Sequence, residues 1–388
     1  MLTASGLRRA HFFRSPHFIF TPSRRQRGRI MRCTNRPPTI SRNLPLGPQH
    51  LHRTMSSRST PSRRQPVGPL PRRTTPFAVG EELRGKSGIA YRIEEVLAER
   101  QEPLLCVYRA SDNQAKSYIV KNLLPGHFEY RYQLQQGLTS CPNLRIMADA
   151  IPEHQILIYP FLDDTLLRVC QKELSTDVRK GMIKSALTGL AELHDRLVVH
   201  TDIKPNNILV NYEEAPTGIL TIKSVKISDL EDAVQLEPDQ NLLACLYGNQ
   251  LWRSPESWLR AEQNTPSDIF SFAITAIYVM LNEMVFLVPE EERVEGHEAW
   301  KPILMRHVSY FGDNDGFQGF LEHIGEKNAD FDAFIDIALQ VKPRRPFAGR
   351  HYLDSQFRDL ITKMTSLDPN KRITAREALK HAWFEGTD

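Results

Sequence analysis

The chain has 388 residues with 25% charged and 40% hydrophobic side chains, a composition that excludes a wholly disordered or fibrous protein and allows two or three compact domains. Its net charge of +4 is unevenly distributed, because the first 80 residues carry 16 Arg and no Lys, Asp or Glu. The tail is therefore +16, and the rest, with 34 basic against 46 acidic residues, is −12, which argues against nucleic-acid binding by the folded part.

Residues 1 to 80 are rich in Arg, Ser and Pro and cannot bury enough apolar surface to offset the entropy of ordering, so we predict a disordered tail. The acid-free start, MLTASGLRRAHFFRSPHFIF, is similar to a mitochondrial presequence. Alternatively, the Arg cluster at 24–29 is a nuclear-import or nucleic-acid patch, or the tail is solvated and carries no address. Mitochondrial, nuclear and cytoplasmic localisation all stay open.

Short β-type runs begin after residue 81 and are separated by turn-forming residues. The predicted strands cover residues 91–97, 104–108, 118–120, 144–147 and 156–159. They indicate a small, sheet-rich lobe.

From about residue 165 the periodicity becomes helical, with apolar residues at i, i+3, i+4 and i+7. One stripe consists of Ile183, Ala186, Leu187, Leu190 and Ala191, and a second consists of Phe357, Leu360, Ile361 and Met364. A sheet-rich lobe followed by a helical lobe, without internal repeats, predicts the α+β class.

The longest apolar stretch, residues 269–288, is interrupted by Ser271, Asn282 and Glu283, whereas a membrane-spanning helix needs about 20 predominantly apolar residues. We therefore expect a buried core helix here and no membrane span. The five cysteines stand singly, which predicts neither a disulfide framework nor a zinc site and favours a reducing, intracellular compartment.

Residues that could accept a proton, neutralise negative charge or bind a metal cluster in the segment HTDIKPNNILV at 200–210, directly after the first helical stripe. Asp202 could accept a proton from a hydroxyl group, and Lys204 could neutralise the charge of a transferring phosphoryl group. Asn207 offers an oxygen ligand to Mg²⁺. These residue types at this spacing predict phosphoryl transfer to a hydroxyl.

The same segment resembles the catalytic loop HRDxKxxN of the protein kinase family, and further family-like segments follow it in the family's order. They are KISDLEDA, which resembles the segment of the DFG aspartate, SPE at 254–256, which resembles APE, DIFSF at 268–272, which resembles DVWSFG, and LDPNKRITAREALKHAWF at 367–384. The resemblance covers roughly residues 88 to 385.

This resemblance implies a bilobal fold, with the sheet-rich lobe at about 88–160 and the helical lobe at about 165–385. It implies that ATP and Mg²⁺ are the cofactors, with Asn207 and Asp229 as the metal ligands. The implied partner is a protein substrate that offers a Ser or Thr hydroxyl.

The resemblance also assigns structural roles. It implies that Asp268 braces the catalytic loop from a buried helix and that Glu256 and Arg372 form a buried ion pair. Lys204 favours Ser/Thr over Tyr specificity, because tyrosine kinases usually lack that lysine.

The nucleotide-binding residues implied by the resemblance lie upstream of the catalytic loop. Lys121 in YIVK matches the VAIK lysine that holds the α and β phosphates, and Glu129 is the acid closest to the position of its usual helix partner. Tyr159 corresponds to the residue at the back of the adenine pocket, and Phe161 lies in the following hinge. Pro160 removes one hinge N–H.

Three departures from the family pattern bear on activity. No glycine lies between Gly88 and Gly126, so LAERQEPLLCV at 97–107 replaces the glycine-rich loop and its side chains should crowd the phosphates. Glu231 replaces the DFG glycine, which puts a further carboxylate near the metal. Thr201 replaces the Arg that in many kinases receives an activation-loop phosphate, which argues against regulation by such a phosphate.

The sequence is compatible with three functions. The first is an active Ser/Thr protein kinase, because Lys121, Asp202, Asn207 and Asp229 are all present. The second is a pseudokinase scaffold with weak or no ATP turnover, which the missing glycine loop favours. The third is nucleic-acid binding through the Arg-rich tail.

Overall fold

The computed structural model describes residues 73–292, 300–341 and 344–387, together with the backbone of two short strands, β1 (Phe20–Pro22) and β2 (Ile30–Cys33). The predicted disordered tail and its targeting signals lie almost entirely outside the described residues. The compartment therefore stays a prediction.

The first lobe is a six-stranded antiparallel sheet with one helix. Its strands are β3 (Glu82–Arg84), β4 (Ala90–Gln101), β5 (Leu104–Ser111), β6 (Ser117–Asn122), β7 (Asp149–Ile151) and β8 (Ile156–Pro160). The spatial order is β3-β4-β5-β6-β8-β7, and helix α1 (Phe128–Gln136) lies between β6 and β7 in the chain.

The predicted strand at 144–147 is wrong, whereas the other four predicted strands are confirmed. Only Leu144 makes a bridge, to Ile227 of the second lobe, and the strand of this region is β7 instead. Backbone hydrogen bonds from Arg145 N to Ile227 O (2.7 Å) and from Ile227 N to Asn143 O (2.8 Å) hold the segment against the helical lobe. Leu144 is therefore buried in the core of that lobe, and Ile146 packs against the same core.

The first lobe extends further toward the N-terminus than residue 88. Strand β3 pairs with β4, and Phe77 is buried in the core of the sheet. The Phe77 amide donates to the hydroxyl of Tyr108 at 3.1 Å. The chain is thus ordered on the sheet from Arg73 onward, inside the region that we predicted as tail.

The second lobe is mainly helical. Its helices are α2 (Leu166–Val169), α3 (Thr176–His194), α4 (Pro255–Trp258), α5 (Thr265–Leu281), α6 (Lys301–Phe311), α7 (Asn314–Ile324), α8 (Phe331–Gln340), α9 (Ser355–Met364) and α10 (Ala375–Leu379). Its strands are β9 (Asp164–Thr165), β10 (Val198–Val199), β11 (Ile208–Glu214), β12 (Leu220–Ile227), β13 (Val234–Gln235) and β14 (Asn241–Leu243). Strand β11 pairs with β9 and β12, β10 pairs with β13, and β14 pairs with β2.

Both predicted apolar stripes are confirmed as the buried faces of helices, α3 and α9. Ser175 caps α3 by accepting a hydrogen bond from the Val178 amide, so the helix begins where its apolar periodicity begins. The two lobes confirm the α+β, bilobal fold.

The apolar stretch at 269–288 is a buried helix over only part of its length. Helix α5 ends at Leu281, and Asn282 follows it in the left-handed region with φ 53°. Asn tolerates that conformation better than most residues, so the polar interruption seen in the sequence marks the end of the helix. In the part of the chain that the structure describes, no helix is long and apolar enough to cross a membrane.

Candidate active site

The catalytic loop at 200–207 is held from behind by a buried carboxylate on α5. Asp268 is 2% exposed and accepts hydrogen bonds from His200 N at 2.7 Å and Thr201 N at 3.0 Å. His194 Nε2 lies 3.1 Å from the same carboxylate. The predicted bracing role of Asp268 therefore has a direct geometric basis, since the loop backbone has little freedom left.

Asp202 lies at the centre of the loop with both carboxylate oxygens in use. Oδ2 lies 2.5 Å from Lys204 Nζ and 3.1 Å from Asn207 Nδ2, and Oδ1 accepts from the Asn249 amide at 3.0 Å. Burial raises the pKa of Asp202, and the Lys204 ammonium offsets only part of that effect. A buried, oriented carboxylate with a raised pKa suits a proton acceptor.

Asn207 connects this carboxylate to the segment that follows β12. Its amide nitrogen donates to Asp202 O at 2.9 Å as well as to the side chain, which leaves the amide oxygen Oδ1 as an acceptor. Its backbone carbonyl accepts from Ser228 N at 2.8 Å and from Ser228 Oγ at 2.9 Å. Asn207 is thereby held next to the residue that precedes Asp229.

Asp229 has an unusual backbone conformation, with φ 64°. A non-glycine residue in the left-handed region is strained, and such residues cluster at functional sites. Its side chain is 37% exposed, and Oδ1 lies 2.9 Å from Lys121 Nζ. Burial alone would raise the pKa of Asp229, but the Lys121 ammonium outweighs burial and lowers that pKa.

The described residues fit a magnesium site of the kind that a nucleotide completes. The groups that could ligate the metal are Asn207 Oδ1 and the carboxylate of Asp229, both hard oxygen donors. No cluster of three or more His, Cys, Asp or Glu side chains suited to a metal occurs in the described ranges. Mg²⁺ is usually held by one or two protein carboxylates plus substrate phosphates, so this sparse set is the expected one.

Lys121 lies on β6 between two carboxylates of one segment. Its ammonium is 2.9 Å from Asp229 Oδ1 and 2.9 Å from Glu231 Oε1. Burial alone would lower the pKa of Lys121, but the two carboxylates outweigh it and raise that pKa. Glu129 is exposed in the first turn of α1 and accepts a hydrogen bond from Gln133 at 2.5 Å, so in this structure it is not the partner of Lys121.

The residues predicted to surround the base lie on β8 and just after it. Tyr159 is 5% exposed, its hydroxyl accepts from Gln135 Nε2 at 2.8 Å, and burial raises its pKa to about 12. Phe161 is 36% exposed, and its amide donates to Ser117 O at 3.3 Å. Tyr159 is therefore fixed at the wall between the sheet and α1, close to Lys121.

Arg145 is a buried residue of this region that the sequence reading missed. Its guanidinium lies 5.2 Å from the centre of the Tyr159 ring, and Nε donates to Pro160 O at 2.8 Å. Burial lowers the pKa of Arg145 to about 10. The sequence did contain a sign of this role. Arg145 is a charged residue inside the apolar run at 144–147, and a strand that faces the core would not carry such a residue.

A tight hairpin between β4 and β5 stands in the place of the glycine-rich loop. Gln101 pairs with Leu104, so only Glu102 and Pro103 form the turn. The departure predicted from the sequence is confirmed as a turn without glycine.

The segment after Asp229 is held by direct contacts to the backbone. Thr201 Oγ1 donates to Asp232 O at 3.0 Å, and Arg131 of α1 donates to Ala233 O at 2.5 Å. The Gln235 amide donates to the hydroxyl of Tyr130, also on α1, at 2.9 Å. Thr201, which replaces the phosphate-binding Arg of many kinases, therefore contacts this segment itself.

The predicted ion pair between Glu256 and Arg372 is present and buried. The two N–O distances are 2.7 and 2.8 Å, and both side chains are 0% exposed. Ser267 Oγ also donates to Glu256 at 2.6 Å, and the pKa of Glu256 is lowered to about 2, because Arg372 outweighs the effect of burial.

The bilobal fold, the braced loop at 200–207 and the ion pairs from Lys121 on β6 to the segment after β12 are the features of a kinase-type domain. A family model described as protein kinase domain matches residues 134–384, and the chain belongs to this family. A solved structure of another kinase domain superposes with a TM-score of 0.60 at 17% identity, covering 80% of this chain and 98% of that chain.

Curated relatives match the chain at modest identity. Mitogen-activated protein kinase 13 of Bos taurus is 26% identical over 235 residues, which is 59% of this chain and 56% of that protein. Cyclin-dependent kinase 12 of Caenorhabditis elegans is 28% identical over 239 residues, which is 60% of this chain and 30% of that protein. The chain thus spans about half of the first relative and under a third of the second.

Proposed function

We propose that the protein is an ATP-dependent serine/threonine kinase that transfers the γ-phosphoryl group of ATP to a hydroxyl of a protein substrate. The observation that carries the proposal is Asp202, a buried carboxylate of raised pKa that Lys204 and Asn207 orient. A phosphoryl-transferring protein needs such a proton acceptor, whereas a scaffold does not.

In this proposal each residue has one task. Asp202 accepts the proton of the attacking hydroxyl, and Lys204, whose ammonium lies on that carboxylate, also faces the negative charge that moves with the phosphoryl group. Lys121 binds the α and β phosphates. Asn207 and Asp229 would hold Mg²⁺, which supplies positive charge to the phosphate oxygens when bound.

The test is transfer of radiolabelled phosphate from ATP to a basic protein containing Ser and Thr in the presence of Mg²⁺. Asp202→Asn should lower the turnover number by at least about a hundredfold, because general-base catalysis contributes roughly that much or more. The matched control is Asp336→Asn on an exposed position of α8, which should keep wild-type activity.

The pseudokinase scaffold remains the second candidate, since the β4–β5 turn offers no glycine amide to the phosphates and both carboxylates near Lys121 are occupied by that lysine. Wild type that binds ATP but transfers no label, or Asp202→Asn with undiminished transfer, would favour the scaffold.

A further inference from the structure

Glu231 stands where kinases that resemble this chain have the DFG glycine, and its carboxylate is directed at Lys121. Glu231 Oε1 lies 2.9 Å from Lys121 Nζ, and the two side chains are 25% and 14% exposed. A charged hydrogen bond with so little exposure is stronger than a surface ion pair.

Helix α1 does not supply the carboxylate that usually accompanies this lysine. The sequence of α1, FEYRYQLQQ, contains one acid, Glu129, which is exposed. Gln135 is the fully buried polar residue of the helix, and its amide is used elsewhere: Nε2 donates to the Tyr159 hydroxyl, and Oε1 accepts from Met147 N at 3.0 Å. In the described structure the negative partners of Lys121 therefore come from the segment after β12.

That segment is in turn attached to α1. Arg131 on α1 donates to Ala233 O, and Gln235 N donates to Tyr130 on α1. In protein kinases a Lys–Glu ion pair joins the strand directly to the helix. Here the connection runs from Lys121 to Glu231 and then, through the backbone of the same segment, to α1.

We propose that Glu231 is the positioning residue for Lys121 and replaces the helix glutamate in holding the lysine toward the phosphates. Asp229 then has its second carboxylate oxygen for the metal, while Glu231 balances the charge of Lys121. The effect of Glu231 on ATP binding and turnover rests on the proposed function, whereas the ion pair between Glu231 and Lys121 does not.

The first experiment measures Lys121 without requiring activity. The full chain is labelled with trace acetic anhydride at about pH 9, and acetylation of Lys121 is compared with that of the exposed Lys223 by peptide mass spectrometry. Removing one of the two carboxylates that hold the ammonium takes away a charged hydrogen bond and leaves the lysine amine about tenfold freer to react. Glu231→Gln should therefore raise the relative acetylation rate of Lys121 about tenfold.

The matched control is Glu129→Gln, the same chemical change at the exposed helix acid, which should leave the acetylation of Lys121 unchanged. Glu231→Gly provides a second variant, because glycine is the family residue at this position. It should raise acetylation as Glu231→Gln does. If both Glu231 variants label Lys121 at the wild-type rate, or if Glu129→Gln raises the rate instead, the proposal is wrong.

The second experiment is kinetic. If Lys121 binds the phosphates equally in the ground and transition states, Glu231→Gln should raise the KM for Mg·ATP about tenfold and change kcat by less than about twofold. Glu231→Asp should recover part of the KM. A loss confined to kcat would contradict the positioning role. Changed acetylation in a protein that transfers no phosphate would support the charge arrangement and reject the proposed function, so the two failures are distinguishable.

Discussion

Asp229 is the residue on which the proposed magnesium site depends most directly. Its lowered pKa keeps it ionised, and one oxygen faces Lys121 while the side chain remains 37% exposed. A carboxylate that stays charged at neutral pH is a suitable ligand for a divalent cation.

We predict that Asp229→Asn abolishes Mg²⁺-dependent nucleotide binding, because it removes the charged ligand and leaves Asn207 alone. Titration of a fluorescent ATP analogue with and without excess chelator checks this. Wild type should bind at least about tenfold more weakly with chelator. Equal binding in both conditions would show that the metal assignment is wrong.

His307 is a second residue with a measurable consequence. It is fully buried on α6, its ring centroid lies 4.0 Å from that of Phe286, and neither ring nitrogen has a hydrogen-bond partner in the described part of the chain. Burial lowers its pKa from 6.5 to about 3, with a smaller opposing effect of Glu256 and a further lowering effect of Arg372. The native state therefore holds His307 neutral.

Because the unfolded state binds a proton at His307 below about pH 6.5 and the native state does not, stability falls as the pH drops from about 6.5 toward 3. Between about pH 7.5 and 5.5 this group should remove about 1.4 kcal/mol from the free energy of unfolding. His307→Leu should lose that part of the pH dependence in denaturant titrations. His351→Leu, at an exposed position, should retain it; identical pH slopes for wild type and His307→Leu would contradict the prediction.

At the scale of elements, helix α4 is joined to the turn before α10 by Glu256 and Arg372. These two elements are far apart in sequence. The pair is fully buried and hydrogen-bonded, so removal of one partner leaves an uncompensated buried charge.

Arg372→Ala should lower the free energy of unfolding by about 3 to 5 kcal/mol. Lys380→Ala removes a charge from an exposed position a few residues away and should have an effect below about 0.5 kcal/mol. Chemical denaturation of the two variants provides the measurement. Similar midpoints would mean that the ion pair does not stabilise the lobe.

At the scale of the whole molecule, the contacts of Phe77 and β3 decide where the folded domain begins. Phe77 is 5% exposed and contacts Tyr108 edge-on, with ring centroids 5.7 Å apart. Arg73 forms a 2.9 Å ion pair with Glu81 at the edge of the same region.

A chain truncated to begin at Arg73 should therefore melt well above one truncated to begin at Gly88, by roughly 10 °C, because the second loses β3 and a buried aromatic side chain. In the full chain, Phe77→Ala should destabilise strongly, whereas Val79→Ala, at a position 66% exposed, should not. Equal melting of the two truncated chains would place the domain boundary near residue 88 after all.

The sequence by itself determined the features that depend on local pattern. The stripes of α3 and α9 were readable because helical periodicity and burial coincide within a dozen residues. Asp202 and Asn207 were predicted as a proton acceptor and a metal ligand because these side chains stand at fixed spacing in one loop, whereas Asp229 was predicted from the resemblance to the protein kinase family. The order of the family-like segments along the chain also implied that Asp268 braces the loop at 200–207.

Where no family-like segment marked them, only the tertiary structure decided which distant groups meet. Glu231 lies 110 positions from Lys121, and no local pattern predicts that its carboxylate accepts a hydrogen bond from that lysine. The segment at 144–147 has a strand-like composition. However, the backbone hydrogen bond from Arg145 N to Ile227 O holds its beginning against the other lobe. Such pairings depend on how the two lobes pack, because the free energy of a long-range contact is set by neighbours from several elements and not by the residue's own flanking sequence.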